Sequence, residues 1–187
     1  MSYYEQKLNK ALDYLYKPSL LTPTGHKPIA YFVYKPKDAL LVSQMAQNYI
    51  KSRAEFIGFK PVFVSMGKLL NDFISNNTEY ISLWNSVNAS QENLLHKSIR
   101  QAIEKTKFFE NEILHIQEEH IAEPKTLIIL HDVEMMHPYY LMNNIETNIY
   151  NNIKLPILVL YPGDAQGTAR SFLSIYGQDG NYRSLNF

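Results

Sequence analysis

Cysteine is absent from this 187-residue chain. That excludes disulfides, thiolate zinc sites, iron–sulfur clusters and cysteine nucleophiles, and it fits a reducing compartment. Long apolar runs are missing too. The longest unbroken stretches are Ile29–Tyr34 and Ile157–Tyr161, with Leu127–Leu130 shorter still, far short of the roughly 20 residues a membrane-spanning helix needs. Met1–Lys10 is polar and helical in pattern, unlike a secretory signal. The expectation is a soluble cytoplasmic protein with no membrane partner. Net charge is also absent, with 18 Lys/Arg against 18 Asp/Glu. The chain therefore has no large electrostatic footprint for nucleic acid, and direct binding to DNA or RNA by this chain alone is not expected.

The charge that is present is unevenly spread. Residues 1–68 carry ten Lys/Arg and four Asp/Glu, and residues 69–187 carry eight and fourteen. The acidic residues concentrate in Glu104–Glu134, which reads either as a solvated helix face or as a docking surface for a protein. Fourteen Tyr contribute to a 13% aromatic content. Tyr covers apolar surface while keeping a polar tip, which suits interfaces as well as cores.

The length fits one domain spanning 1–187. Tyr4, Leu8, Leu12 and Leu15 share a helical face, and Pro18 ends that helix near Tyr16–Lys17. Leu20–Pro28 reads as a loop. Ile29–Tyr34 is a near-continuous apolar run, the mark of a strand buried on both faces of a parallel sheet. Asp38 is positioned to cap a helix carrying Leu41, Met45, Tyr49 and Ile50, and Gly58 to stop it. Pro61–Met66 is a second buried strand. A helix through Leu70 and Phe73 follows, and about 79–123 reads as a helical insertion. Thr126–His131 is the third strand and Pro138–Ile153 a helix. Pro156–Tyr161 is the fourth strand. A tight turn at Pro162-Gly163-Asp164 and a helix over Ala165–Tyr176 come next, with Asn181–Phe187 as a terminal edge strand. The alternation implies a three-layer α/β fold, Rossmann-like or P-loop-like, with a mostly parallel sheet.

Such a fold prompts a search for a phosphate loop, G-x-x-x-x-G-K-[ST]. Gly67-Lys68 sits at a strand-to-helix junction. Yet Val62 occupies the first Gly position, and Leu69 stands where the magnesium-binding hydroxyl belongs. Leu127–Glu134 resembles a Walker B strand, in which Asp132 would hold magnesium and Glu134 would orient water. His131, Asp132, Glu134 and His137 form a tight group, but their spacing matches no metal motif. His115 and His120 point apart on a helix. No G-x-S-x-G, G-x-G-x-x-G or H-E-x-x-H is present. No metal, cofactor or catalytic residue is assigned. The segment Tyr161-Pro162-Gly163-Asp164, with Gly167, Tyr182 and Arg183, has the composition of a binding loop at a strand's carboxyl end, and Asp132 and Glu134 lie at a second such end.

PILVLYPGDAQGTARSFLSIYGQDGNYRSLNF resembles the C-terminal signature of the BrxB family of bacteriophage-exclusion (BREX) defence systems. In that signature a strand ends in an aromatic residue, Pro and Gly. A second Gly, a Leu/Phe-rich helix and an Asn-Tyr-Arg segment follow. TLIILHDVEMMHPYYLMNNIETNIYNNI and IAYFVYKPKDAL are also similar to the family. Where its turn often carries an aromatic or acidic residue, this chain has Ala165 and Gln166. The resemblance implies a phage-defence role beside a methyltransferase, large ATPases and the alkaline-phosphatase-like protein PglZ, with no defined catalytic activity of its own. The expectation is a non-enzymatic adaptor whose first partner is PglZ, with other BREX components possible. The alternatives are a degenerate nucleotide- or metal-dependent hydrolase using His131, Asp132, Glu134 and Asp164, and a DNA-contacting adaptor using the basic N-terminal third.

Overall fold

The computed structural model describes residues 2–16, 27–87, 91–167, 169–177, 179–180 and 184–187. The expected loop at Leu20–Pro28 falls almost wholly outside them, as do Tyr182 and Arg183. Four parallel strands form the centre: β1 (Ile29–Tyr34), β2 (Lys60–Ser65), β3 (Thr126–His131) and β4 (Ile157–Gln166). The spatial order is β2-β3-β4-β1, closed at the β1 edge by the two-residue β7 (Leu185–Asn186). The chain crosses the sheet one way between β1 and β2 and returns stepwise through β3 and β4. The covering helices change face with that reversal, as connections of one hand require.

On the first face lie α1 (Tyr3–Tyr16), α2 (Ala39–Met45) and α3 (Lys51–Ile57), with a π turn at Ala46–Ile50 joining the last two. They pack on Ala30, Phe32, Leu127, Ile129, Leu158 and Leu160. Gly58 ends α3 at φ 103°, the left-handed geometry that favours glycine. Asp38 occupies the expected cap position but makes no cap bond; its carboxylate accepts from the Tyr4 hydroxyl at 2.6 Å. The second face carries α4 (Met66–Asn76), α5 (Thr78–Asn85), α6 (Glu92–Thr106), α7 (Phe108–His120) and α8 (Met142–Ile149). Their core includes Tyr31, Phe109, Ile113, Ile128, Leu130 and Val159. Helices therefore fill the interval between β2 and β3, as the missing strand signal implies. Strands β1, β3 and the inner half of β4 are buried on both faces.

Three local expectations are corrected. Strand β2 is the sheet's edge and is only half-buried, because nothing pairs its outer side among the described residues. The helix expected from Pro138 begins at Met142; a short 3-10 turn at Val133–Met136 and extended backbone at Leu141 precede it. The largest correction is at the C-terminus. The chain does not turn at Pro162-Gly163-Asp164, and Ala165–Tyr176 is not helical. β4 runs on to Gln166, and β5 (Ala169–Phe172) returns antiparallel to it, with β6 (Asp179–Gly180) beside β5. The cause is local crowding and burial. A Cβ on Gly163 would lie 2.1 Å from the Ser171 carbonyl oxygen, so only glycine permits the strands to approach. Gly167, at φ 61°, turns the hairpin. Arg170 and Phe172 then alternate inward, the period of a strand.

Candidate functional site

Strand β3 delivers its carboxyl end to a slot on the first face. Ser65, His131, Leu160 and Tyr34 follow, at two-residue spacing, strand residues that face α1–α3. A slot of about 450 Å³ lies there, walled by Tyr34, Phe63 and Leu160 from the sheet and by Val42, Ser43 and Ala46 from the helix side. The polar lining is Lys51, His131, Asp132 and Glu134. The helix wall is built from small side chains where it meets the strand ends, and it bulges there into the π turn.

Asp132 adopts φ 56°, ψ 34°, an uncommon left-handed conformation for a non-glycine residue. Its Oδ2 accepts from the Ser65 hydroxyl at 2.6 Å and pairs with His131 Nδ1 at 2.8 Å. The Ser65 oxygen in turn caps α4, accepting from Lys68 N–H at 3.1 Å. Gly67 completes the junction, since a Cβ there would lie 3.0 Å from the Met135 side chain that rests on it. Glu134 is held differently. Burial raises its carboxyl pKa above the usual value; an interaction with its own backbone N–H opposes this, and the Asp132 charge adds to it. Its Oε2 is buried without a hydrogen-bond partner. Burial, followed by the charges of Glu134 and Asp132, pushes the Tyr34 hydroxyl well up, so it stays protonated.

This arrangement has no hydrolytic relay. Ser65 and His131 both address one oxygen of Asp132, so the imidazole is not set between hydroxyl and carboxylate as a base would need to be. The β2–α4 junction holds no phosphate loop either: β2 ends at Ser65 and α4 begins at Met66, leaving no backbone there to wrap a phosphate. No group of three or more His, Asp or Glu side chains suited to a metal occurs among the described residues.

The second set of expected site residues lies elsewhere. Tyr161, Pro162 and Gly163 are buried in β4, Asp164 is half-buried, and Gly167 is exposed at the hairpin turn. Lys35 forms an ion pair with Asp164 and holds its carboxyl below the usual range. The structure thus brings Asp132 and Glu134 to the slot and sends the Tyr161 segment into the sheet. His137 bonds the Tyr176 hydroxyl rather than joining His131.

Two residues went unnoticed in the sequence. Arg170 and Glu146 form a buried pair at 3.1 Å, 3% and 1% exposed. The guanidinium lies 3.5 Å from the centre of the Tyr31 ring and also reaches Ser184 and Asn186. The Tyr31 hydroxyl donates to Glu146 at 2.6 Å. One network therefore ties the hairpin, α8, β1 and the C-terminal strand together. An Arg in a segment read as a helix gives no warning of this.

The family model described as BREX protein BrxB matches residues 62–187, more than half of the chain. The chain belongs to the BrxB family. It is therefore a component of a BREX phage-defence system, and other BREX subunits are its partners. No curated protein and no solved structure matches it. The matched span begins within β2 and runs through β7, while β1, α2, the π turn and α3, which supply Tyr34, Val42, Ala46 and Lys51 to the slot, precede it. No helix among the described residues is long and apolar enough to cross a membrane.

Proposed function

We propose that this BrxB-family chain is a non-enzymatic accessory subunit, working in the cytoplasm, that docks onto the PglZ-type alkaline-phosphatase-like component of its BREX system. The observation that carries the non-enzymatic reading is the direct passage from Ser65 into α4, with the Walker B-like Asp132 already occupied by Ser65 and His131. A nucleotide-fold scaffold with neither phosphate cradle nor relay is suited to binding rather than turnover. Docking draws support from the family membership.

The acidic stretch contributes less than its sequence suggests. Glu104, Glu118 and Glu119 are exposed, but Glu110 is buried, accepting from Tyr140 and Asn148. Binding should therefore depend weakly on salt, because only exposed charges are screened, over about 8–10 Å at physiological ionic strength. For the DNA-adaptor alternative, part of the charge of the basic third is already engaged within the fold. Lys35 and Lys60 pair with Asp164 and Glu123, and Lys7 donates to the Val33 carbonyl.

Gel filtration of the chain mixed with its PglZ-type subunit at about 10 μM tests the docking. One earlier-eluting peak across a range of salt is expected; two separate peaks throughout would sink the partner assignment. The chain alone should neither bind ATP with magnesium at micromolar affinity nor hydrolyse it. Turnover abolished by Lys68→Ala would overturn the non-enzymatic reading.

A further inference from the structure

The sheet closes one of its edges and leaves the other open. At the β1 margin, β7 takes up outer backbone groups. At the β2 margin none of the described residues does so. Which groups β2 leaves free follows from its register. The Lys60 N–H donates to the Lys125 carbonyl at 2.9 Å, so Lys60 turns its backbone toward β3. Successive residues alternate. Val62 and Val64 therefore also turn toward β3, and Pro61, Phe63 and Ser65 turn outward. Pro61 thus sits where the β3 ladder needs no N–H. The outward row is the Pro61 carbonyl, both backbone groups of Phe63 and the Ser65 N–H. The Ser65 carbonyl is not part of it, because Ser65 is the N-cap of α4 and its carbonyl accepts the first bond of that helix.

This row is complementary to itself. With two copies of β2 side by side and antiparallel, Phe63 set opposite the partner's Phe63 exchanges both backbone bonds with it. Each Ser65 N–H then meets the partner's Pro61 carbonyl. The remaining positions match as well: the Pro61 nitrogen, which carries no hydrogen, lies opposite the partner's Ser65 carbonyl, which α4 already occupies. Every free group finds a partner and none is stranded. The next alignment one way sets Pro61 against the partner's Phe63 carbonyl and strands it. The next one the other way sets the Phe63 N–H against the occupied carbonyl. Pro61 therefore selects one alignment while blunting the edge to others. The edge is also accessible. Val62 packs at the margin of the second face and Phe63 at that of the first, and both are only half-buried, so the helices do not close over it. A groove of about 310 Å³ runs there, with Leu69 of α4 and Ile116 of α7 beside the strand.

The charges at the two ends of the strand answer one another in the same alignment. Lys68, just past the carboxyl end of β2, is exposed and lines the groove. Glu119 lines it too and lies toward the amino end, four residues before the Glu123 that pairs with Lys60. Glu119 is exposed, and among the described residues only the His115 imidazole is within ion-pair reach of it. An antiparallel partner brings the carboxyl end of one β2 beside the amino end of the other, with the same face of both sheets on the same side. Lys68 of each copy then faces the partner's Glu119, and the two-fold axis makes that contact twice.

We propose that the open edge of β2 pairs with a second copy of this chain, antiparallel and centred on Phe63, joining the two sheets into one across a two-fold axis. The occupant is a second copy because the free backbone groups, the position of Pro61 and the end charges are all matched by β2 and its own surroundings. The inference stands apart from the docking of a PglZ-type subunit, and its test involves no other BREX component.

Sedimentation equilibrium of the full chain between about 1 and 200 μM tests the association, and amide hydrogen exchange followed by NMR at both ends of that range tests the site. The mass should rise from one chain toward two with concentration. The Phe63 and Ser65 amides should exchange at least about tenfold more slowly at the high concentration than at the low one. The Val62 and Val64 amides, bonded to β3, should stay protected at both. At low salt, Lys68→Glu and Glu119→Lys should each weaken the dimer at least about fivefold, because each reversal acts twice across the axis, and the two together should restore it. Both positions are exposed, so the variants keep the fold. A single-chain mass up to 200 μM would overturn the proposal. So would a dimer whose Phe63 and Ser65 amides exchange alike at both concentrations, single reversals without effect, or a double reversal that restores nothing.

Discussion

The two faces of the sheet solve the same packing problem with different residues. Against α4–α8 the sheet presents Tyr31, Tyr161 and Val159, and the helices answer with Phe109, Ile113 and Ile145, all at most 6% exposed. That face buries charge at two places: Arg170 paired with Glu146 beneath Tyr31, and Glu110 held by Tyr140 and Asn148. Against α1–α3 the fill is smaller: Ala11, Ala30, Ala46 and Ala54 among leucines. There the small residues and the π turn leave a slot, and the polar groups at its edge are only partly answered. Close packing fixes one face, while the other keeps room at the strand ends.

The sharpest way to break this contrast is at the buried pair. Arg170→Ala should cost about 3–5 kcal/mol in urea unfolding, because it leaves Glu146 charged in a dry interior. Replacing both partners by apolar residues of similar size should recover most of that loss. A cost below about 1 kcal/mol for the single change would mean that the network does not hold the hairpin. Gly163→Ala comes next. Its methyl would meet the Ser171 carbonyl, so the hairpin must part, at about 1–3 kcal/mol or more by thermal or urea unfolding.

One added methylene compares the faces directly. Val159→Leu, on the filled face, should cost about 1–3 kcal/mol, whereas Val42→Leu, beside the slot, should be neutral or stabilising by up to about 1 kcal/mol. Equal costs would mean that the slot is not open space. The smallest effect concerns pH. The folded carboxyl of Glu134 titrates above its ordinary value of 4.5. The folded state therefore holds that proton more tightly than the unfolded chain does. Its contribution to stability is present below about 4.5 and is lost as pH rises through the folded pKa. Glu134→Gln should thus gain on the wild type as pH rises toward 7, and the two should converge below pH 4.5. Urea midpoints across that range measure it, and a gap that widens on acidification would contradict the sign.

The sequence made the inner strands legible because burial on both faces writes an unbroken apolar run. IAYFVY and TLIILH are strands with the expected ends. Edge position left a fainter trace. KPVFVS is as apolar as its neighbours, yet it lies at the margin, and only its Pro61 accords with an unpaired edge. The hairpin was illegible for a different reason. Ala165, Ala169, Phe172 and Tyr176 fit a helical stripe, and the competing two-residue alternation counts Arg170 as an inward residue. That reading requires Glu146, which lies 24 positions earlier in the chain. The slot's carboxylates were visible as a pair after β3, but Tyr34, Val42 and Phe63 join them only once β1, α2 and β2 are placed in order.

The proposed role of this BrxB-family chain is to bind a partner without catalysing a reaction. Calorimetric titration with its PglZ-type subunit, at low and at physiological salt, tests this most directly. The account predicts a saturable one-site isotherm, micromolar or tighter, that shifts little with salt, from a chain that shows no ATP turnover on its own. Absence of binding heat and of co-elution at both salt concentrations, or steady ATP hydrolysis by the isolated chain, would contradict it.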